Sequence, residues 1–498
     1  MIFMIHVDIP MLNRHVLNLS SSVAGPSMPS VPCIQTQQRD LADSIIRWAP
    51  LDEIRILLAC GARVNEPVTQ GLRPLHYAVF QRYAEAASLL LVRGADPNLM
   101  DDVGYTALHL CAERGYIDLI RMLLRHKARV SFTVVGPEDS PEGNPPRATV
   151  ADEPLRLSIK NGHYACAKFL LENGADPNAG YFLGSEINLI SPLNLRFLEL
   201  LLKFGADPNS RDRSGLTPLM KACRHAEGLE AAYLLISYGA DTNAMSSERN
   251  DLKTPLHYSV ISGNMDIVKL LVAYGAAVCY DSEYLRPTPL DFAVLRGNYE
   301  VVEFLIECGA DVNIGSPVIG LPLHIALSEK IENKYEIVKL LLENGADPNG
   351  VMVGEDEIVI LRPPLGEYIN SQEMPTLEVV CLLLKHGARV VLKTQQQSPL
   401  GILNTLHKIH LGANLEVMDL LLQTCDEYSL QAVERSSQIP SEHKRFILNF
   451  LKNPIPLKYL TRRLIRKKMF ALPNTLERIQ QLPIPNYLKN FISYDYDY

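Results

Sequence analysis

One short phrase recurs through this chain at nearly constant spacing. It reads LLVRGADPN from Leu90 to Asn98, LLENGADPN from Leu170 to Asn178 and again from Leu341 to Asn349, and LLKFGADPN from Leu201 to Asn209. LISYGADTN and LIECGADVN are near copies, and LLACGARVN, LVAYGAAVC and LLKHGARVV are weaker ones. The glycines stand at Gly61, Gly94, Gly174, Gly205, Gly239, Gly275, Gly309, Gly345 and Gly387, with Lys127 in the glycine's place in one copy. The period is about 33 residues, stretched where loops are inserted. Each copy is then one supersecondary unit, which buries its apolar face only by stacking on its neighbours.

A second signature lies roughly twenty residues before each glycine: RPLHYAV at Arg73, TALHLCA at Thr106, TPLMKAC at Thr217, TPLHYSV at Thr254, TPLDFAV at Thr288 and LPLHIAL at Leu321. Thr supplies an oxygen for the N-cap and Pro a preset φ at the first helical position, so each signature opens a helix. Segments such as MDIVKLLVAY and YEVVEFLIEC carry apolar residues at helical spacing and end at the glycine, in the role of a left-handed C-cap. The expectation is two short antiparallel helices and a turn per unit.

These residues, TPLHYSVISGNMDIVKLLVAYGA above all, resemble the ankyrin repeat over about Leu41 to Tyr428. The resemblance implies an all-α fold, a solenoid of about eleven helix-turn-helix units whose first and last are atypical and act as caps. The divisions expected are a flexible N-terminal tail (1–40), the repeat array (41–428) with an inserted surface loop (136–153), connecting or capping helices (429–453) and a distinct C-terminal segment (454–498). Units near Ser191 and Pro363 have poor first helices, where irregular stacking is expected.

Composition narrows the function. An apolar share of 47% with 21% charged residues fits a folded chain, and a net charge of −8 argues against sequence-independent nucleic-acid binding by the whole. Nine cysteines, spread without a C-x-x-C pair and mostly on apolar helix positions, read as reduced, buried thiols of a cytoplasmic or nuclear protein. The opening MIFMIHVDIP is broken by His6 and Asp8 before it reaches signal-peptide length, and no apolar run is long enough to span a membrane. His76, His109, His257 and His324 recur once per unit, too far apart for shared chemistry, and read as hydrogen-bonding within their own turns. The Asn of each G-A-D-x-N reads as a turn former. No phosphate loop, nucleophile elbow or metal motif stands out, so neither an enzyme nor a cofactor is expected.

The last segment departs from all this: PIPLKYLTRRLIRKKMFALPNTLERIQQLPIP, Pro454 to Pro485. As a helix from Leu457, it sets Leu457, Leu460, Thr461, Leu464, Ile465 and Lys468 on one side, with Arg462, Arg463, Arg466 and Lys467 largely elsewhere. Pro454 and Pro456 precede it and Pro473 follows. So short a helix needs its stripe buried. Periodicity leaves three partners open: the last repeat, which it would cap; nucleic acid or an import receptor, through the basic residues; or a groove in another protein.

PLKYLTRRLIR followed by LPIP resembles the SOCS box, so the whole chain is similar to the ankyrin repeat and SOCS box family. The resemblance implies an Elongin-binding motif on Pro456, Leu457, Leu460, Thr461, Leu464 and Ile465, and a cullin-selecting motif on Leu482, Pro483, Ile484 and Pro485. It implies Elongin C with Elongin B, Cullin-5 and its RING-box protein as partners, and a target protein held by the repeats; the alternative is a non-catalytic ankyrin scaffold whose last helices only cap the array. Thr461 stands where the family usually has Cys, and a bond from its hydroxyl to the Leu457 carbonyl is expected to satisfy it. The basic face is expected to stay outside, and LPIP to be extended and rigid.

Overall fold

The computed structural model describes residues 34–132, 152–181, 183–280, 286–317, 319–328, 331–353, 359–412, 414–453, 455–469 and 475–495. The chain divides into two compact units, one holding the described residues up to Asp176 and the other those from Pro177 onward. The first contains four helix pairs, from Ile34–Ile46 with Leu51–Ala59 to Pro154–Lys160 with Tyr164–Glu172. The second contains seven, the last of which has a 3-10 turn, Leu403–Lys408, in place of its first helix. Eleven pairs in all is the number the repeats lead one to expect.

The local reasons repeat from pair to pair. In helix Pro255–Ser262, Thr254 is the N-cap, Pro255 sits at the first turn and Gly263 closes the helix at φ 79°. His257 completes the turn: Nδ1 accepts from the Thr254 backbone N–H at 3.1 Å, so Nε2 carries the proton and donates to Pro287 O, 3.1 Å away in the following repeat. Burial of this ring pushes its pKa down to about 4. His76 reaches Tyr105 O at 3.2 Å and His324 reaches Arg362 O at 2.8 Å in the same way. These histidines therefore join consecutive repeats, and His76 and His257 also close their own turns, which His324 Nδ1 does not do among the described residues.

The asparagines do more than form turns. Asn209 Nδ2 donates to Gly239 O at 3.0 Å while its Oδ1 accepts from the Asp241 N–H at 2.7 Å. Asn65, Asn98, Asn243, Asn313 and Asn349 make the equivalent pair of bonds to the repeat that follows each. At one position the amide is replaced by a thiol: Cys279 Sγ donates to Gly309 O at 2.6 Å and has no amide oxygen for the second bond.

Several expectations need correcting. Residues 34–40, assigned to the tail, are the start of helix Ile34–Ile46, held by Gln37 and Gln38 side chains that donate to Cys60 O and Arg63 O at 3.0 Å each. Residues 1–33, and all but the last two residues of the 136–153 insertion, lie outside the described residues. Glu153, at the insertion's end, is only 3% exposed, and its carboxylate accepts the Phe132 N–H at 3.0 Å. Near Ser191 the first helix is indeed short, Glu186–Leu189, but near Pro363 helix Pro364–Ser371 is complete, with Pro364 in its first turn. The cysteines divide: Cys111, Cys166, Cys223 and Cys425 are buried, whereas Cys60, Cys279 and Cys308 are exposed. Among the described residues the fold is helical with three small two-stranded sheets; the parallel one pairs Val390–Leu392 with Cys425–Tyr428 and ties the last repeat to the one before it.

Candidate protein-docking site

Three helices follow the residues that connect the repeats to the chain end: Leu457–Met469, Thr475–Gln481 and Asn486–Ser493. The first is made of good helix formers and follows Pro456 directly. It packs on helix Leu415–Thr424 of the last repeat, on Thr475–Gln481 and on Asn486–Ser493. Which face it turns inward decides what it can bind.

The inward face carries two of the basic residues, Arg462 and Arg466, which overturns for them the expectation that the basic face stays outside; Lys467 does stay outside. Arg462 is 1% exposed and Arg466 7%. The Arg462 guanidinium lies 4.5 Å from the Phe491 ring and 4.3 Å from the Tyr494 ring, and it donates to Phe491 O at 3.4 Å. Arg466 donates to Ile492 O at 2.8 Å, to Leu384 O and to Lys385 O, the latter two at the end of helix Leu377–Lys385. Carbonyls at a helix C-terminus have no partner within the helix and carry the negative end of its dipole. Aromatic faces and the carbonyl end of a helix, where Leu384 O also accepts the Gly387 N–H at 3.0 Å, thus make a site that an arginine fills better than a leucine. Burial lowers the Arg466 pKa to about 10, still leaving it charged at neutral pH. His386, beside the same carbonyls, is pushed down to about 4 by burial and then by the Lys385 and Arg466 charges. A bridge from Lys385 to Asp495, 2.6 Å long, fastens the chain end to the same helix.

With the arginines inward, the apolar stripe faces out. Leu457 is 78% exposed, Leu464 63% and Leu460 36%. Pro456 and Thr461 are exposed as well, and Ile465 is half-buried. Thr461 Oγ1 donates to the carbonyl of Leu457, so its hydroxyl is satisfied within the helix. The structure therefore brings Pro456, Leu457, Leu460, Thr461 and Leu464 together on one open surface, flanked by the exposed Lys458, Lys467 and Lys468. Pro454 and Pro473 lie outside the described residues.

The LPIP segment is bent rather than extended. The Ile484 N–H donates to Leu482 O at 2.8 Å, a three-residue turn around Pro483, whose ring fixes φ near the value such a turn needs. Pro483 and Pro485 are exposed, and Leu482 and Ile484 are half-buried. Pro485 then caps helix Asn486–Ser493, on which Tyr487 is 70% exposed. Among the described residues no group of three His, Cys, Asp or Glu side chains is placed to hold a metal ion, and no helix is long and apolar enough to cross a membrane.

Comparison with known proteins places these features. Residues 49–134, 75–180, 228–316 and 285–351 match the family described as ankyrin repeats (3 copies), and residues 193–236 match ankyrin repeats (many copies). Residues 453–493 match the SOCS box. The ankyrin repeat and KH domain-containing protein mask-1 of Caenorhabditis elegans is 32% identical over 45% of this chain and 8% of its own length. Ankyrin repeat and SOCS box protein 16 of Homo sapiens is 31% identical over 43% of this chain and 46% of its own length. The chain thus spans less than half the length of these curated relatives. The solved ankyrin repeat domain of Bcl-3, at 22% identity and a TM-score of 0.39, covers 47% of this chain and 97% of its own. An array matching ankyrin repeats over more than half of its residues, closed by a matching SOCS box, makes this chain a member of the ankyrin repeat and SOCS box family.

Proposed function

We propose that this chain is the substrate-recognition subunit of a cullin-RING ubiquitin ligase. Its repeats hold a target protein, Pro456, Leu457, Leu460, Thr461, Leu464 and Ile465 dock on Elongin C with Elongin B, and Leu482, Pro483, Ile484 and Pro485 select Cullin-5 with its RING-box protein. The observation that carries the reading is the outward leucine stripe, with Leu457 78% exposed on a helix otherwise pinned by two buried arginines. A stripe left open on a fixed helix is suited to a partner's groove. The chain itself catalyses nothing; it accelerates ubiquitin transfer by holding a target lysine near the charged conjugating enzyme. It acts in the cytoplasm or nucleus.

Full burial of a leucine is worth about 1.5–3 kcal/mol, so losing two anchors weakens docking by roughly a hundredfold or more. Affinity capture from cells tests this. The wild-type chain should recover both elongins and Cullin-5, and Leu457→Asp with Leu464→Asp should recover neither; both positions are exposed, so the fold is expected to survive. Replacing Pro483 and Pro485 with alanine should cost Cullin-5 and leave the elongins. Equal recovery of elongins by wild type and the double aspartate variant would sink the proposal. The scaffold alternative draws on the Arg466 contacts to Leu384 and Lys385, which fasten the box to the array, and it forecasts that equal recovery.

A further inference from the structure

The leucine stripe does not end at Leu457. Immediately before it, helix Ser441–Lys452 places Phe446 and Phe450 four residues apart on one face, with Asn449 at its side. Phe446, Asn449, Phe450, Asn453, Ile455 and Pro456 line an open cavity of about 220 Å³. Both phenylalanines and Ile455 are only half-buried. Asn449 and Asn453 are exposed, and among the described residues their side chains make no hydrogen bond. Pro456 belongs both to the wall of this cavity and to the docking motif, so the cavity and the stripe form one continuous surface.

We infer that this cavity is a further anchor pocket of the docking site, which receives one large apolar side chain from the partner that covers Leu457. Aromatic walls supply apolar area, and two free amides at the rim can meet the backbone groups on either side of the inserted residue. The surroundings say what surface brings it. Arg445, next to Phe446 in sequence, and Lys458, two residues past Pro456, are both exposed, and Lys467 and Lys468 extend the same charge along the box helix. The occupant is therefore an aliphatic or aromatic residue on an acidic surface. Interface energy concentrates in such partly enclosed pockets near aromatic residues, so the pocket adds affinity beyond the leucines.

This inference rests on the proposed docking of Elongin C, and the test separates the two. The full-length chain is titrated with purified Elongin B–Elongin C complex, using wild type, Asn449→Trp, Phe450→Ala and Leu457→Asp. Asn449→Trp places a bulky uncharged ring at the cavity from an exposed position, so it probes the pocket even where loss of the Phe450 ring disturbs the helix. Asn449→Trp and Phe450→Ala should each weaken binding roughly tenfold, with the melting temperature of Asn449→Trp unchanged. Wild-type affinity in Asn449→Trp together with lost affinity in Leu457→Asp would overturn the pocket and leave the docking face standing. Wild-type affinity in Leu457→Asp as well would overturn the docking reading and the pocket with it.

Discussion

One repeat departs from the histidine rule, and the departure has a measurable consequence. In helix Pro289–Leu295 the position held by histidine in four other copies is Asp291, which is fully buried. Its Oδ2 accepts from the Thr288 backbone N–H at 2.7 Å and from the Thr288 hydroxyl at 3.0 Å. Its Oδ1 has no hydrogen-bond partner among the described residues. Burial raises this carboxyl from 3.8 to about 7, and the two bonds from Thr288 oppose the rise only in part. Because the folded pKa lies above the unfolded one, the folded state binds the proton more tightly. The stability this contributes is present at low pH and is lost as pH rises from about 4 to about 7. At 1.36 kcal/mol per unit, a displacement from 3.8 to about 7 sets an upper bound on the order of 4 kcal/mol.

Asp291→Asn keeps an acceptor for the Thr288 N–H and removes the titration. The variant should therefore gain stability over wild type progressively from pH 5 to pH 8. His257 gives the opposite slope, since a buried imidazole held near 4 loses stability as pH falls below about 6.5. For that reason the informative quantity is the difference between variant and wild type at each pH, which cancels His257. Urea unfolding followed by circular dichroism at half-unit steps measures it. A difference that stays constant across the window would refute the reasoning, because a carboxyl free to ionise without cost cannot be as isolated as its contacts state.

Four further outcomes follow from the same contacts. Lys127 holds φ 65°, the left-handed region that glycine occupies in the other copies, so Lys127→Gly should stabilise the first unit by roughly 1 kcal/mol in thermal melts. Cys279→Asn should restore the second bond of the asparagine ladder and add about 1 kcal/mol, read by urea unfolding. Arg466→Met takes the guanidinium donor from Ile492 O and Lys385 O and leaves Leu384 O with only the Gly387 N–H; it should cost about 3 kcal/mol and make the box the first site of limited proteolysis. Thr461→Cys should change elongin affinity by less than about tenfold, since the threonine hydroxyl is already bonded to Leu457 O and brings no unsatisfied group to an interface.

The periodicity made most of the architecture legible in advance. A glycine about every 33 residues, with Thr-Pro starts ahead of it, specifies helix pairs through capping and fixed φ, which are local effects that need no knowledge of the fold. The shared position of His76, His257 and His324 was equally visible in the sequence. Their bonds to Tyr105, Pro287 and Arg362 were not, because each acceptor belongs to the next repeat. The asparagine ladder was missed for the same reason. A signal did exist: the asparagine recurs with the glycine it bonds in the following copy, which a turn alone does not require. Phe446 and Phe450 carried no repeat signal, and only their placement beside Pro456 marks them.

The box helix divides the two kinds of information most sharply. Its amphipathicity was set by the order of residues from Leu457 to Lys468, because a helix turns by the same angle wherever it lies. Its orientation was not, since periodicity separates two faces without saying which is buried. Hydrophobicity alone would turn the leucines inward. The fold instead presents the rings of Phe491 and Tyr494 and the carbonyl end of helix Leu377–Lys385, and such a surface is satisfied by guanidinium groups. Long-range placement of those acceptors, 82 residues from Arg466 along the chain, is what turns the leucines to solvent.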